Sequence, residues 1–163
     1  MATPAIDSAV RLSRGNSNDL DDVMVVMNNA FGTRFGEAWT RSQCAGILPM
    51  AGVSLMVARD REDGRTIGFS LSRTVADESE LLLLAVLPDR HRHGIGGLLL
   101  DDCIEQARSN RLTRIHLEVR DGNPAADMYR AAGFKPVGRR RNYYHAPDGR
   151  RFDALTFAQE LFS

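Results

Sequence analysis

The most informative segment of this sequence is Leu84-Ala85-Val86-Leu87-Pro88-Asp89-Arg90-His91-Arg92-His93-Gly94-Ile95-Gly96-Gly97. Its first part is apolar and favours a buried strand, and after Pro88 the apolar residues recur at helical spacing. The glycines fall in the first turn of that helix, where bare backbone N–H groups and the positive end of the helix dipole come together. The segment therefore predicts an anion site of the kind that holds a pyrophosphate, with the charges of Arg90 and Arg92 beside it.

Two common nucleotide-binding motifs do not match this loop. A Walker loop requires GxxxxGK followed by Ser or Thr, and the segment contains no lysine. A dinucleotide fingerprint requires GxGxxG, whereas Gly94-Ile95-Gly96-Gly97 is followed by Leu98. A glycine-rich helix start that only packs closely against its neighbours stays open as an alternative.

The composition is that of one globular domain. The chain has 163 residues, of which 43% are hydrophobic and 26% charged, and its formal net charge is zero. Because the net charge is zero, no overall electrostatic field attracts nucleic acid. The apolar run Leu81–Leu87 is far shorter than the ~20 residues that cross a bilayer. Cys44 and Cys103 are expected to be free thiols. We expect one domain over residues 1–163, with a flexible N-terminus at residues 1–8, no membrane partner, and a cytoplasmic location because no signal peptide is evident.

Hydrophobic periodicity predicts the order β-α-α-β-β-β-α-β-α-β-β. The predicted strands are Val10–Arg14, Val53–Arg59, Thr66–Val75, Glu80–Leu87, Thr113–Arg120, Phe134–Arg141 and Phe152–Leu161. The predicted helices are about Asp19–Phe31, Gly36–Leu48, Ile95–Asn110 and Asn123–Gly133. The strand–helix–strand unit in the middle requires a parallel pair, and the hairpins around it require antiparallel pairs. The expected fold is α/β (α+β), a mixed and mostly antiparallel seven-stranded sheet with helices on both faces.

The chain resembles the GNAT superfamily of acetyl-CoA-dependent N-acetyltransferases. His91-Arg92-His93-Gly94-Ile95-Gly96 is similar to the family's Q/R-x-x-G-x-G/A motif, with His91 where Gln or Arg is usual. The similarity extends to Leu117-Glu118-Val119-Arg120, to Asn123, and to the segment Met128-Tyr129-Arg130-Ala131-Ala132-Gly133-Phe134. The resemblance implies that the central parallel strands splay apart and that acetyl-CoA is the cosubstrate, without a metal.

The resemblance also implies which residues bind the coenzyme. The backbone of the strand before the loop is expected to bind the pantetheine arm, and the loop and helix start are expected to hold the pyrophosphate. Asn123 is implied as a further coenzyme contact, with capping of the following helix as an equal alternative. The expected coenzyme-binding residues are Leu84, Ala85, Val86, Arg92, His93, Gly94, Ile95, Gly96, Gly97 and Asn123.

Acetyl transfer to an amine needs a group that takes a proton from the ammonium and a group that protonates the departing thiolate. Glu118, on a central strand, is the candidate base, and a Glu118 that is solvated or salt-bridged, with Arg120 or His116 as its partner, is the alternative. Tyr129 is the candidate acid, because a phenol with pKa ~10 can protonate a thiolate of pKa ~8.5. A packing role for Tyr129 beneath Gly133 and Phe134 is the alternative. No Ser/His/Asp or Cys/His arrangement is evident, so direct attack by the amine is preferred over an acyl-enzyme.

A closer resemblance concerns the acceptor. Arg140-Arg141-Asn142-Tyr143-Tyr144 with Asp148-Gly149-Arg150 is similar to the ribosomal-protein alanine N-acetyltransferases, which implies a protein N-terminus as acceptor. The segment after the first helix departs from that subfamily, since Gly32-Thr33-Arg34 replaces its Pro-Trp-Ser element. A small-molecule amine acetyltransferase and a non-catalytic coenzyme-binding module therefore stay open. Arg139–Tyr144 is expected to form one wall of the acceptor cleft rather than a nucleic-acid patch, and the Gly32–Gly36 region the other. His91 and His93 are too few ligands for a metal site.

Overall fold

The computed structural model describes residues 9–91 and 93–162. The expected flexible segment at residues 1–8 and the expected coenzyme ligand Arg92 lie outside these ranges. Within them, every helix is too short or too polar to cross a bilayer.

The order of elements matches the prediction. The strands are β1 (Val10–Arg14), β2 (Val53–Asp60), β3 (Thr66–Val75), β4 (Glu78–Val86), β5 (Arg114–Arg120), β6 (Lys135–His145) and β7 (Arg151–Glu160). The α-helices of the described residues are α1 (Leu20–Phe31), α2 (Arg41–Ile47), α3 (Ile95–Ser109) and α4 (Ala125–Ala131). Short 3₁₀ turns at Ser17–Asp19 and Pro88–Arg90 precede α1 and α3.

The start of α2 differs from the prediction. The helix was expected over Gly36–Leu48, but it begins at Arg41 because Thr40 forms a capping box with Gln43. The amide of Gln43 donates to Thr40 Oγ1 at 3.1 Å, and the amide of Thr40 donates to Gln43 Oε1 at 2.7 Å. Residues 36–39 are therefore not helical, and they carry Glu37 towards the centre of the molecule.

The sheet has seven strands in the order β1-β2-β3-β4-β5-β7-β6. Among these strands, β4 and β5 form the one parallel pair, and every other neighbouring pair is antiparallel. The expectation of a mixed, mostly antiparallel sheet with a central parallel pair is confirmed. The helix that joins these two strands, α3, begins beside α4, since a Cβ added at Gly96 would lie 3.1 Å from Met128 Sδ.

Helices cover both faces of the sheet, as predicted. Alternate residues of β3 show this: Phe69 and Leu71 face α1, whereas Ser70 and Ser72 face α3. One hydrophobic core lies around α1 and β1–β4, and a second lies among α3, α4, β5 and β7. Leu84 packs against both cores, so it sits at the boundary between the two halves of the sheet.

Candidate active site

The two central strands separate at the middle of the sheet. The parallel pairing of β4 with β5 covers only Glu78–Leu81 opposite Arg114–Leu117. Beyond it, Leu84, Ala85 and Val86 pair with β3 but have no partner on β5 among the described residues. Their backbone groups on that side face an opening, which is where the sequence analysis expects the pantetheine arm.

The start of α3 leaves backbone donors without partners. Gly94 takes a left-handed conformation (φ 77°), and no side chain caps the helix. The amide of Leu98 bonds to the carbonyl of Gly94 at 3.0 Å and is the first to close a helical turn. The amides of Ile95, Gly96 and Gly97 therefore have no acceptor among the described residues, and together with the helix dipole they form an anion site.

The two adjacent glycines have different surroundings. A Cβ added at Gly96 would lie 3.1 Å from Met128 Sδ, so this glycine allows α3 to pack closely against α4. A Cβ added at Gly97 would meet nothing within 4 Å. The sequence left two explanations for the glycine-rich helix start, anion binding and close packing. Each applies to a different residue: Gly96 is needed for packing, and Gly97 leaves open space beside the unpartnered amides.

Arg90, one of the two arginines expected beside this anion site, is paired with an acidic residue instead. The Arg90 guanidinium donates to Asp60 at 2.7 Å, and this contact raises the pKa of Arg90 and lowers that of Asp60. His91 Nε2 lies 3.0 Å from the carbonyl oxygen of Val86, which ties the loop to the end of β4. His93 is exposed. No group of metal-ligating side chains exists in the part of the chain that the structure describes.

Glu118 lies on β5 just beyond the last pair of the parallel ladder. Its side chain is only 6% exposed, and its carboxylate has two partners. Thr156 on β7 donates to Oε2 at 2.7 Å, and the Arg140 guanidinium on β6 lies 3.1 Å from Oε1. Arg140 itself is 62% exposed. The salt-bridged alternative therefore describes Glu118 as it stands in this structure, although its partner is Arg140 rather than His116 or Arg120.

Tyr129 lies on α4 and is buried. Its ring makes edge contacts with Phe134 and Phe157, at centroid distances of 6.0 Å and 6.4 Å. Burial raises the pKa of its phenol well above the ordinary value, and the nearby Cys103 and Glu37 raise it further. The hydroxyl has no hydrogen-bond partner among the described residues, so it stays protonated and available as a donor.

Two tyrosines at the end of β6 border Glu118. The hydroxyl of Tyr144 donates to the backbone carbonyl of Glu118 at 3.4 Å. Tyr143 packs edge-on against Tyr144 at a centroid distance of 4.9 Å and is 45% exposed. Burial raises the pKa of Tyr144, and the charge of Glu37 adds to the shift. Arg139 pairs with Asp121 and Asp153 at 2.8 and 2.9 Å, which holds this strand in place.

The segment between α1 and α2 contains the region expected to form the opposite wall. Phe35 meets Phe152 edge-on at 5.2 Å, and the Arg120 guanidinium lies 3.6 Å from the centroid of the Phe35 ring. Gly36 has φ 71°, and a Cβ there would come within 2.2 Å of the carbonyl oxygen of His145. Only glycine allows the two segments to approach this closely. These contacts place Phe35 and Gly36 beside the end of β6 and the start of β7. That the Gly32–Gly36 region and Arg139–Tyr144 form the two walls of an acceptor cleft stays a prediction.

Glu37 is a candidate site residue that the sequence analysis missed. Its Oε1 lies 3.4 Å from Nε of Arg120, and its Oε2 accepts a hydrogen bond from Asn123 Nδ2 at 2.9 Å. A single acidic residue between Gly36 and Ala38, in a segment otherwise aromatic and small, was the available signal. Its partners lie more than eighty residues away in sequence, so no local pattern could identify them.

Asn123 makes protein contacts with both ends of its amide. The oxygen accepts from the amide of Ala125 at 2.9 Å, at the start of α4, and the nitrogen donates to Glu37. This arrangement favours the capping role of Asn123 over the coenzyme contact that the family resemblance implied. Asn123 is therefore not among the residues assigned to the coenzyme site.

Two features together identify the class of protein. One is the seven-stranded sheet with a splayed parallel pair, and the other is a helix start beside the opening that can bind an anion. The model of the Acetyltransferase (GNAT) family matches residues 21–134, and the chain belongs to this family.

Among its relatives are curated [ribosomal protein bS18]-alanine N-acetyltransferases. The one from Haemophilus influenzae is 39% identical over 97 residues, which cover 60% of this chain and 66% of that protein. The one from Haemophilus ducreyi is 33% identical over 116 residues, 71% of this chain and 80% of that protein. The crystal structure of the ribosomal-protein-S18-alanine N-acetyltransferase from Escherichia coli superposes with a TM-score of 0.83 at 28% identity, covering 94% of this chain and 95% of that chain.

Proposed function

We propose that this chain transfers the acetyl group of acetyl-CoA to the α-amine of an N-terminal alanine of a ribosomal protein. The observation that carries the proposal is the position of the opening between β4 and β5. The two strands pair only as far as Leu81 and Leu117, α3 begins with unpartnered amides shortly after β4, and Glu118 follows Leu117 on β5 with the Tyr144 hydroxyl against its carbonyl. Acetyl-CoA bound there would have its pyrophosphate on the helix start and its thioester near the candidate base and acid.

The coenzyme site consists mostly of backbone. We assign the pyrophosphate to the amides of Ile95, Gly96 and Gly97, and the pantetheine arm to the exposed backbone edge of Leu84–Val86. Gly94 is the N-cap of α3. His93 precedes it in the loop and borders the proposed pyrophosphate site. Because backbone donors carry this site, the unusual His91 in the loop motif is compatible with it. Acetyl-CoA supplies an activated carbonyl, and the residues around the opening hold and protonate the reactants.

Direct attack needs a proton acceptor and a proton donor. Glu118 accepts a proton from the ammonium of the acceptor, directly or through water, which leaves a nucleophilic amine. The amine nitrogen forms a bond to the acetyl carbon as the carbon–sulfur bond breaks. The buried phenol of Tyr129 then donates its proton to the thiolate. The nitrogen loses a second proton as the amide forms, and this proton restores the Tyr129 phenol. The proton held by Glu118 passes to solvent, so each turnover converts an ammonium and a thioester into an amide, a thiol and one free proton.

Arg140 competes with the acceptor for Glu118. Its guanidinium lies beside one carboxylate oxygen, and the Thr156 hydroxyl donates to the other. Each oxygen can accept a second hydrogen bond, so an amine or a water can approach the carboxylate most easily where Arg140 moves aside. Most of the Arg140 side chain is in solvent, which allows it to swing away at little cost. Thr156, on the neighbouring strand, then keeps the carboxylate oriented towards the opening.

The names of the relatives support a protein acceptor, and so do the walls of the cleft. An N-terminus can approach Glu118 between the Phe35–Glu37 segment and Tyr143–Tyr144, which offer flat, hydrogen-bonding surfaces. An acceptor that belongs to the ribosome agrees with the expected cytoplasmic location, which remains a prediction. The oligomeric state is not part of the proposal.

The test is a coenzyme A release assay with a matched pair of peptides. One begins with free Ala, the other is the same peptide with its α-amine already acetylated, and neither contains lysine. Turnover of the first peptide alone, with higher kcat/KM than any small amine, is the expected result. Strong turnover of one compact amine and none of the peptide would reassign the chain to small-molecule acetylation. Coenzyme binding without any turnover would point to a non-catalytic module.

A further inference from the structure

A row of polar side chains extends from Glu118 along one face of the central strands. The parallel register places Glu80 on β4 opposite His116 on β5, and Glu118 lies two residues further along β5 on the same face. Glu80 Oε1 is 3.9 Å from His116 Nε2, and the two side chains are 35% and 27% exposed. On β3, Arg73 is the register partner of Glu80.

The geometry of the sheet sets how far Glu80 lies from the reacting amine. Neighbouring strands are about 4.8 Å apart and residues two apart on a strand about 6.7 Å, so the Cα atoms of Glu80 and Glu118 are about 8 Å apart. An extended peptide advances about 3.3 Å per residue. With its α-amine at Glu118, its second or third residue passes over Glu80.

Tyr143 belongs to the same region as Glu118, because its ring packs edge-on against Tyr144, whose hydroxyl donates to the backbone carbonyl of Glu118. Burial raises the pKa of the Tyr143 phenol, and the charges of Glu118 and then Glu80 raise it further.

The charge of Glu80 is not fully compensated by its neighbours. His116 reaches Glu80 only at the limit of an ion pair, and its buried Nδ1 has no partner among the described residues. Arg73 makes no ion pair with Glu80 in the same part of the chain, and its buried Nε also lacks a hydrogen-bond partner there. A carboxylate in this position can accept hydrogen bonds from a lysine or arginine of an acceptor.

We infer that Glu80 is a specificity determinant that binds a cationic side chain at the second or third residue of the acceptor. The inference rests on the proposed function, because it requires a peptide with its N-terminus at Glu118. Glu80 lies away from the reacting atoms, so it selects among acceptors and takes no part in the chemistry.

The test compares peptides that begin with Ala and carry either Lys or Gln at position 2, with a second pair varied at position 3. The lysine amines are acetyl-blocked in one further control, which removes the charge but keeps the length. The wild-type enzyme should prefer one Lys peptide about fivefold in kcat/KM, the size of a partly exposed ion pair. Glu80→Gln should reduce that ratio to about one. Glu78→Gln, on the same strand and beside Arg114, should keep it.

Thermal unfolding of each variant shows whether it is folded. A wild-type ratio near one, or a ratio that survives in folded Glu80→Gln, overturns the subsite while leaving the acetyltransferase function intact. Equal loss of the ratio in Glu78→Gln overturns it too, because general attraction would then explain the preference. Failure of every free-amine peptide, the Gln peptides included, refutes the proposed function itself and the subsite with it.

Discussion

Glu37 and Arg120 form a buried ion pair that joins the segment after α1 to the end of β5. Oε1 and Nε are 3.4 Å apart, and each side chain is only 10% exposed. Asn123 donates to the second carboxylate oxygen at 2.9 Å, and Phe35 lies against the guanidinium. One carboxylate therefore links the segment after α1 to the end of β5 and the turn that follows it. Its charge also raises the pKa of both Tyr129 and Tyr144.

Removing one member of this pair should destabilise the fold. Glu37→Gln leaves the Arg120 charge buried without a counter-charge, and we expect a loss of about 3 kcal/mol in the free energy of unfolding. Urea denaturation measures it. Glu37→Leu combined with Arg120→Met should recover most of the loss, because an apolar pair buries no charge. A double variant no more stable than the single one would contradict this account.

A matched control is the exposed pair of Glu105 and Arg108 on α3, where the closest N–O distance is 3.7 Å. Glu105→Gln should leave the denaturation midpoint unchanged, since a solvated pair contributes little. Because the Glu37 segment is proposed to form a wall of the cleft, Glu37→Gln should also raise KM for the acceptor peptide more than KM for acetyl-CoA. Equal increases in KM for the peptide and KM for acetyl-CoA would instead indicate that the whole fold has loosened.

The coenzyme site can be tested at Gly97, where a new side chain meets open space. Gly97→Asp places a carboxylate beside the unpartnered amides of α3. It should weaken binding of coenzyme A about tenfold or more, equivalent to about 1.4 kcal/mol, through repulsion of the pyrophosphate. Isothermal titration calorimetry gives the dissociation constant directly.

Gly97→Asn is the matched control, because it has the same size without the charge. It should bind the coenzyme more tightly than Gly97→Asp, and binding that is equally weak in both would show that bulk is responsible. Gly96 is a poorer test position, since any side chain there also presses on Met128.

Replacement of the candidate base should give a pH-dependent defect. Glu118→Gln keeps the shape and the hydrogen bond from Thr156 but cannot take a proton, so kcat/KM should fall about 100-fold at pH values where the acceptor amine is protonated. Activity should recover in part as the pH approaches the pKa of the amine. A defect of constant size from acidic to alkaline pH would assign Glu118 a role in binding instead.

The candidate acid should behave differently. Tyr129→Phe keeps the ring contacts with Phe134 and Phe157 but removes the proton donor, so kcat should fall about 100-fold across the whole pH range. Burial raises the pKa of Tyr129, so the phenol stays protonated as the pH passes its ordinary value of ~10. The wild-type enzyme should therefore lose no activity near that pH through Tyr129. A folded Tyr129→Phe variant with wild-type kcat would refute the assignment.

The two thiols provide a simple check on the packing. Cys44 and Cys103 are free and buried, and burial raises the pKa of Cys103 to about 12. Because only the thiolate reacts, Ellman's reagent should modify neither thiol at pH 8 and both after denaturation. Rapid labelling of the native protein would show that the core around α3 opens.

Most of the fold could be predicted from the sequence because its signals are local. Apolar and polar residues alternate along Arg114–Arg120, and apolar residues recur at helical spacing after Gly94. Each pattern shows which side of a single element faces the core. The start of α2 was predicted too early, at Gly36. Ala38 and Trp39, which precede Thr40, are not helical and pack against the hydrophobic core around α1.

The site was predictable only in part, for a related reason. Glycine at positions 94 and 97 is what a helix start needs if it is to bind an anion, and this signal can be recognised without knowing the fold. The partners of a charged side chain are not local. Nothing near Glu118 in the sequence identifies Arg140 and Thr156 as its contacts, and Arg90 proved to pair with Asp60.

The sequence by itself determined the order of the elements, the parallel central pair and the helix start that can bind an anion, because each follows from periodicity or from a glycine in one short segment. Only the tertiary structure decided that Glu37 joins Arg120 and Asn123, that Glu80 lies beside His116, and that Gly36 packs against His145. These contacts form when strands and loops far apart in the chain are brought together. Their energies depend on burial and distance, which no single segment of the sequence contains.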